Sequence, residues 1–131
     1  MGNTRQGCGL LAFACMFAGL SVAPAQAQSG TEVVLHDFGN VPRGSSPESG
    51  VVRDPAGNLY GTTPTGGAAN AGVVYKLDAS GRQTVLYSFT GGAGGSGPMA
   101  GVTADSAGNL YGTTAYGGTA GAGVVYKLNA T

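Results

Sequence analysis

The sequence has no tryptophan, a single histidine (His36) and two cysteines, Cys8 and Cys15. Both cysteines lie in an N-terminal stretch that reads as a leader, so the chain expected after its removal has no disulfide, thiol nucleophile or thiolate metal ligand. A histidine-rich metal site is excluded by count, and stability must come from packing. Charge is scarce too: Asp, Glu, Lys and Arg make up 9% of the chain, against roughly 25% in ordinary soluble domains. A surface so sparsely charged is expected to be partly covered. Beyond residue 27 the bases are Arg43, Arg53, Lys76, Arg82 and Lys127, and the acids are Glu32, Asp37, Glu48, Asp54, Asp78 and Asp105, a net charge of −1. With no basic stripe to neutralise phosphates, nucleic acid is excluded as a partner. The same segment never places apolar residues at i, i+3, i+4 and i+7, which excludes an amphipathic helix.

Residues 1–27 read as a signal peptide. Arg5 marks a short basic start, an uncharged apolar run follows from Cys8 to Leu20, and Ala25-Gln26-Ala27 presents the small residues that signal peptidase accepts. The apolar run is too short for a membrane anchor, which needs about 20 residues. The expectation is cleavage after Ala27, a mature chain of residues 28–131 that is secreted, extracellular or periplasmic, from a bacterium, and no stable membrane insertion after cleavage.

What is present in abundance is repetition. Residues 50–80, GVVRDPAGNLYGTTPTGGAANAGVVYKLDAS, and residues 101–131, GVTADSAGNLYGTTAYGGTAGAGVVYKLNAT, are identical at 22 of 31 positions without a gap. The shift of 51 residues also superposes Val34, Leu35, Phe38 and Pro47 on Val85, Leu86, Phe89 and Pro98. Residues 28–131 are therefore one repeat region of two units, residues 30–80 and 81–131.

Each unit reads as four short strands separated by glycine turns. Thr84 to Phe89 alternates Val85, Tyr87 and Phe89 with Thr84, Leu86 and Ser88, the period of a half-buried strand. Gly101 to Thr103 follows, then the turn Asp105-Ser106-Ala107-Gly108-Asn109, the strand Leu110 to Thr114, a Gly117-Gly118 loop, and the strand Gly123 to Leu128. In the first unit Gly72 to Leu77 runs through Asp78-Ala79-Ser80-Gly81 into Thr84 to Phe89, a hairpin signal. The fold class is all-β: two tandem four-stranded antiparallel units of 51 residues, each like the blade of a β-propeller and together a partial propeller. The chain opens with the strand Glu32 to Phe38 and closes with three strands, so the first is expected to complete the last sheet.

The pattern D-x-x-G-N-L-Y-G-T-T-x-x-G-G, followed by G-V-V-Y-K-L and t-V-L-Y-S-F, resembles the GloVer repeat of bacterial secreted proteins, the choice-of-anchor tandem repeat family. The resemblance covers essentially all of residues 28–131. It implies an extracellular, propeller-like repeat protein without an established activity. Relatives usually carry more repeats and often end in a sorting or anchoring segment, whereas this sequence reaches Thr131 at the end of a unit with neither.

Two blades are few. Propellers typically have four to eight, and an open pair exposes apolar sheet faces. At roughly 25 cal/mol per Å², several hundred Å² of unburied contact is comparable with the roughly 5–15 kcal/mol stability of a domain. The expectation is a homo-oligomer that completes a ring, with a fragment of a longer repeat protein as the alternative, and direct packing of two sheets as a third arrangement.

Candidate chemistry is thin. Gly92-Ala93-Gly94-Gly95-Ser96-Gly97 satisfies G-x-G-x-x-G, yet Pro98 follows and no helix starts there, so it reads as a loop. His36, at the position of Tyr87, reads as an aromatic-sized strand residue, with no nucleophile or orienting acid in any motif to make it a base. Asp54 and Asp105 occupy equivalent turns; a glycosidase pair or calcium ligands are the chemical alternatives to a turn-forming role. Asn129-Ala130-Thr131 is formally a glycosylation sequon, weak at this position. The tyrosines offer more: Tyr60, Tyr111 and Tyr116, beside Asn, Thr and Gly, are candidates for stacking on sugars, with core packing as the plainer role. No catalytic residue, metal ligand or cofactor is expected. The leading reading is a non-enzymatic secreted β-repeat module with structural or interaction duties, its partner a glycan or a cell surface; a carbohydrate-binding, lectin-like module is the alternative.

Overall fold

A computed structural model describes residues 30–39 and 41–130. The expected signal peptide, residues 1–27, lies outside them. Glu32 onward forms one compact unit, and it is all-β. Among the described residues seven strands occur in chain order: β1 Val52–Arg53, β2 Leu59–Thr63, β3 Val73–Leu77, β4 Gln83–Ser88, β5 Thr103–Ala104, β6 Leu110–Thr113 and β7 Val125–Leu128. Among the described residues, helix is limited to two 3₁₀ turns, Val41–Arg43 and Gly92–Gly94. The strands form two antiparallel sheets, β1-β2-β3-β4 and β5-β6-β7. The first sheet thus borrows its fourth strand from the second sequence unit.

That borrowing follows from the turn between β3 and β4. The Asp78 carboxylate accepts from the backbone N–H of Ser80 at 2.9 Å and of Arg82 at 3.0 Å, while the Gly81 N–H donates to Asp78 O at 2.9 Å. With its donors satisfied locally, the chain reverses in five residues and β4 zips onto β3. Strict alternation along β4 does not survive. Tyr75 pairs with Val85 but Val74 with Tyr87, so Leu86 is an extra residue in a bulge. The bulge turns Leu86 onto the buried side, where it packs against the core, and leaves Tyr87 38% exposed.

The two sheets pack through one core. Val74 and Phe89 are fully buried with Leu110 and Val102 beside them, and Val52, Tyr60, Leu86, Tyr126 and Leu128 surround them. The register places Tyr60, Thr62, Val74 and Lys76 on the face of the first sheet that meets the second. Leu110, Gly112, Tyr126 and Leu128 share one face of the second sheet and meet it. Phe89 bridges them, its ring edge-on to Tyr126 at 5.0 Å. Polar contacts lock the same interface: Thr62 Oγ1 donates to Ala100 O at 2.9 Å, and the Gly97 N–H donates to Ala71 O at 2.9 Å.

One expected strand is not formed. Glu32 to Phe38 has no strand partner and does not complete the second sheet, which has three strands. The segment instead lies against the first sheet, Phe38 edge-on to Tyr75 at 5.0 Å, where the outer edge of β3 is already taken by β4. A strand forms only where a neighbouring backbone offers free donors and acceptors.

Candidate functional site

The motif D-x-x-G-N-L-Y builds the same polar knot twice. In the first copy Asp54 Oδ1 accepts from the Asn58 N–H at 2.8 Å, and Oδ2 accepts from Asn58 Nδ2 at 2.7 Å and from the Tyr60 hydroxyl at 3.0 Å. In the second, Asp105 Oδ1 accepts from the Ala107 and Asn109 N–H groups at 3.0 and 2.9 Å, and Oδ2 from Asn109 Nδ2 at 2.7 Å and the Tyr111 hydroxyl at 3.0 Å. The turn places Asp and Asn four residues apart across a closed loop, and the strand that follows brings Tyr back over it. The Asn58 side chain, with its backbone N–H and the Tyr60 hydroxyl, holds the Asp54 carboxyl below its ordinary range. The Asn109 set holds Asp105 down to about 2. Burial, and then the hydrogen bond to Asp54 and its charge, push the Tyr60 phenol up.

The hydroxyls of the G-T-T segment are spent in the same way. Thr63 Oγ1 donates to Thr65 O at 2.8 Å, and Thr114 Oγ1 donates to Tyr116 O at 2.9 Å while accepting from the Val124 N–H at 3.0 Å. These bonds fix the loops that follow β2 and β6.

Two clefts open between the sheets. One, of about 520 Å³, runs between Tyr60, Lys76 and Leu86 on the first sheet and Leu110, Lys127 and Leu128 on the second. The other, of about 400 Å³, is lined by both turns and brings Asp54 and Asp105 to one space. Sequence alone did not place these equivalent carboxylates together, because a repeat shift says nothing about which faces meet. As chemistry the pair is poorly suited to acid catalysis. A glycosidase needs one carboxyl with a raised pKa to protonate the leaving group, and both here are lowered, each already accepting three or more hydrogen bonds. Among the described residues no group of three His, Cys, Asp or Glu side chains is placed to hold a metal ion.

The three candidate tyrosines are not brought together. Tyr60 lines both inter-sheet clefts, which neither Tyr111 nor Tyr116 lines. Tyr111 lies on the opposite face of its sheet from Leu110, with Lys127 Nζ 5.6 Å from its ring centre and its hydroxyl bound to Asp105. The same pairing of Lys76 with Tyr60, at 5.9 Å, sits at the inter-sheet face. Tyr116 is 58% exposed in a loop that exchanges backbone hydrogen bonds with Ser96 at 2.9 and 3.1 Å. His36 is half-buried, its ring edge-on to Phe38 at 4.8 Å. Gly92–Gly94 is a 3₁₀ turn with no helix after it, and Gly92 O accepts from the Gly118 N–H at 2.9 Å. The glycine run is therefore a docking loop rather than a phosphate cradle.

Two stacked antiparallel sheets that carry the same knot, the same pairing of a glycine with a tyrosine (Gly61 with Tyr75, Gly112 with Tyr126) and the same loop fastening define a tandem β-sheet repeat protein. Residues 21–131 match the model of the Gloeobacter/Verrucomicrobia repeat, and the chain belongs to that family. Comparison with curated proteins and with solved structures finds no match. Among the described residues no helix is long and apolar enough to cross a membrane.

Proposed function

We propose that this chain is a secreted, non-enzymatic repeat module, two blades of a propeller-like array, whose work is structural or adhesive. The observation that carries the reading is the state of its recurring polar groups. Asp, Asn, Tyr and Thr of each motif hydrogen-bond to one another or to the backbone beside them. Such a motif stabilises a turn and presents nothing reactive, because a nucleophile or general base needs a free lone pair aimed at a substrate. Stacked, similar sheets also offer large faces of the kind that repeat proteins use for binding. The test has two parts. N-terminal sequencing of the protein recovered from outside the cytoplasm is expected to begin at Gln28; a protein retained in the cytoplasm with Met1 in place would overturn secretion. A panel of polysaccharides and esters is expected to show no turnover above a denatured control, whereas turnover lost in Asp54→Asn or Asp105→Asn would overturn the non-enzymatic reading.

Carbohydrate binding is the second reading, and Tyr116 favours it. The residue is 58% exposed on a loop fixed by the Ser96 hydrogen bonds, so little ordering entropy opposes stacking on a sugar. A glycan screen giving saturable binding that Tyr116→Ala abolishes, with unchanged circular dichroism, would establish it.

A further inference from the structure

The repeat makes one interface inside the molecule and leaves both halves of a second one open. Val74 of β3 and Val125 of β7 are equivalent under the 51-residue shift, yet Val74 is fully buried and Val125 is 81% exposed. β3 is flanked by β2 and β4, whereas β7 has β6 on one side and an unpaired edge on the other among the described residues. The missing flank has an equivalent segment in the chain. Glu32 to Phe38 matches Gln83 to Phe89 under the same shift. It has no strand partner, and Val33, Val34 and Leu35 are 70%, 73% and 59% exposed.

Its far end is already in position. Phe89, which follows β4, meets Tyr126 of the next sheet edge-on at 5.0 Å and 70°. Phe38 meets Tyr75, the equivalent residue of the first sheet, at 5.0 Å and 64°. The adjoining cleft repeats the correspondence. Leu35, Ala56, Gly57, Leu59, Leu77 and Ala79 line a space of about 450 Å³. Their equivalents Leu86, Ala107, Gly108, Leu110, Leu128 and Ala130 line the inter-sheet cleft, which Tyr60 and Lys76 of the first sheet also line. Neither residue lines the first space, and the residues equivalent to the pair are Tyr111 and Lys127, which face each other across β6 and β7 of the second sheet.

The geometry points to head-to-tail assembly of copies of this chain, in which Glu32 to Phe38 of one copy adds as the fourth strand along β7 of another. The register follows from β3 and β4, where Leu77, Lys76, Tyr75 and Val74 face Gln83, Thr84, Val85 and Tyr87. Glu32 then faces Leu128, Val33 faces Lys127, Val34 faces Tyr126 and His36 faces Val125, with Leu35 in the bulge that Leu86 occupies. Strand addition supplies backbone hydrogen bonds to a bare edge and covers an apolar face in one step. The contact joins unlike surfaces, so it propagates until it closes on itself. It deepens the interaction-module reading and names a second copy of the chain as the partner.

Mixed cysteine variants test it, with Cys8→Ser and Cys15→Ser introduced so that only the added thiols react. His36→Cys and Val125→Cys, purified separately and mixed under mild oxidation, are expected to give a covalent dimer, since facing residues of antiparallel strands fall within disulfide reach. His36→Cys mixed with Thr103→Cys, on β5 at the far edge of the sheet, should give none. Light scattering of the unaltered protein should show a mass of two chains or more. Val34→Pro, at an exposed residue without a strand partner, should return it to one chain with unchanged circular dichroism. Crosslinking no greater than the Thr103 control, or a single-chain mass at all concentrations up to about 1 mM, would overturn the proposal. So would a double variant, His36→Cys with Val125→Cys, that links only within one chain. A monomer that binds a glycan would sink the assembly and leave the interaction reading standing; an assembled protein that turns over a polysaccharide would do the reverse.

Discussion

Phe89 meets Tyr126 edge-on at 5.0 Å and is the largest fully buried side chain among the described residues, so the residue that follows β4 is also the bolt between the two sheets. Removing its ring deletes core contact on both sheets at once. Phe89→Ala is expected to cost roughly 3–5 kcal/mol, a large share of the stability of a domain this size. Phe38, its half-buried counterpart against Tyr75, should cost about 1–2 kcal/mol when changed to Ala. Urea unfolding of the two variants checks the order; equal losses would mean that the sheet interface does not depend on Phe89.

Tyr126 offers a change in the opposite direction. Its hydroxyl is buried over Gly112 with no hydrogen-bond partner, and burial pushes the phenol up to about 12. An unpaired buried hydroxyl carries a desolvation cost of about 1–3 kcal/mol. Tyr126→Phe keeps the ring against Phe89 and deletes that cost, so its melting temperature should equal or exceed that of the parent. A clear loss of stability would show that the hydroxyl is bonded in solution.

Much of this was readable beforehand because the repeat states the same answer twice. The turn role of Asp54 and Asp105, the strands around L-Y-G-T-T and G-V-V-Y-K-L, and the hairpin from Gly72 to Phe89 all follow from local chemistry, and local chemistry is what a sequence encodes most directly. The β4 bulge was not readable, since alternation in Thr84 to Phe89 is satisfied by either parity until the strand meets its neighbour. Glu32 to Phe38 misled for the same reason: it has the pattern of a strand, but a pattern cannot show whether a partner edge is available. Nor could spacing show that Tyr60 faces the inter-sheet clefts while Tyr111, its repeat equivalent, faces away from that core. That asymmetry arises because, among the described residues, one unit has a neighbour on this side and the other has none.

The aspartate knots predict how the fold responds to acid. Asp54, Asp78 and Asp105 are all lowered, Asp105 to about 2, through hydrogen bonds from Asn58, Ser80 and Asn109 respectively, with backbone N–H groups adding to each. A carboxyl whose folded pKa lies below its unfolded value contributes stability that is fully present above the unfolded pKa. It is lost as pH falls through the folded pKa. The melting temperature should therefore be insensitive to these groups above about pH 5 and should fall between about pH 4 and pH 2. Asp105→Ala should flatten part of that fall. A melting temperature that rose on acidification through this window would contradict the knots.

Gly72 and Gly92 separate two reasons for the abundance of glycine. Both have positive φ, 101° and 55°, but a side chain at Gly92 would meet nothing within 4 Å. At Gly72 it would meet Pro98 Cδ at 2.5 Å and Thr63 O at 2.6 Å. Gly92→Ala should therefore cost only the backbone term, about 1 kcal/mol. Gly72→Ala adds a collision between the start of β3, the end of β2 and the Pro98 turn that precedes the second sheet, and should cost about 3 kcal/mol or more. The Gly72 N–H also donates to Gly66 O at 3.0 Å, and its carbonyl accepts from the Phe89 N–H at 2.9 Å, so displacement at this residue reaches the bolt between the sheets. Thermal unfolding of the two alanine variants decides the matter: similar small losses would mean that the close approach of Pro98 to Gly72 relaxes without disturbing the interface, and that conformational freedom alone explains the glycines.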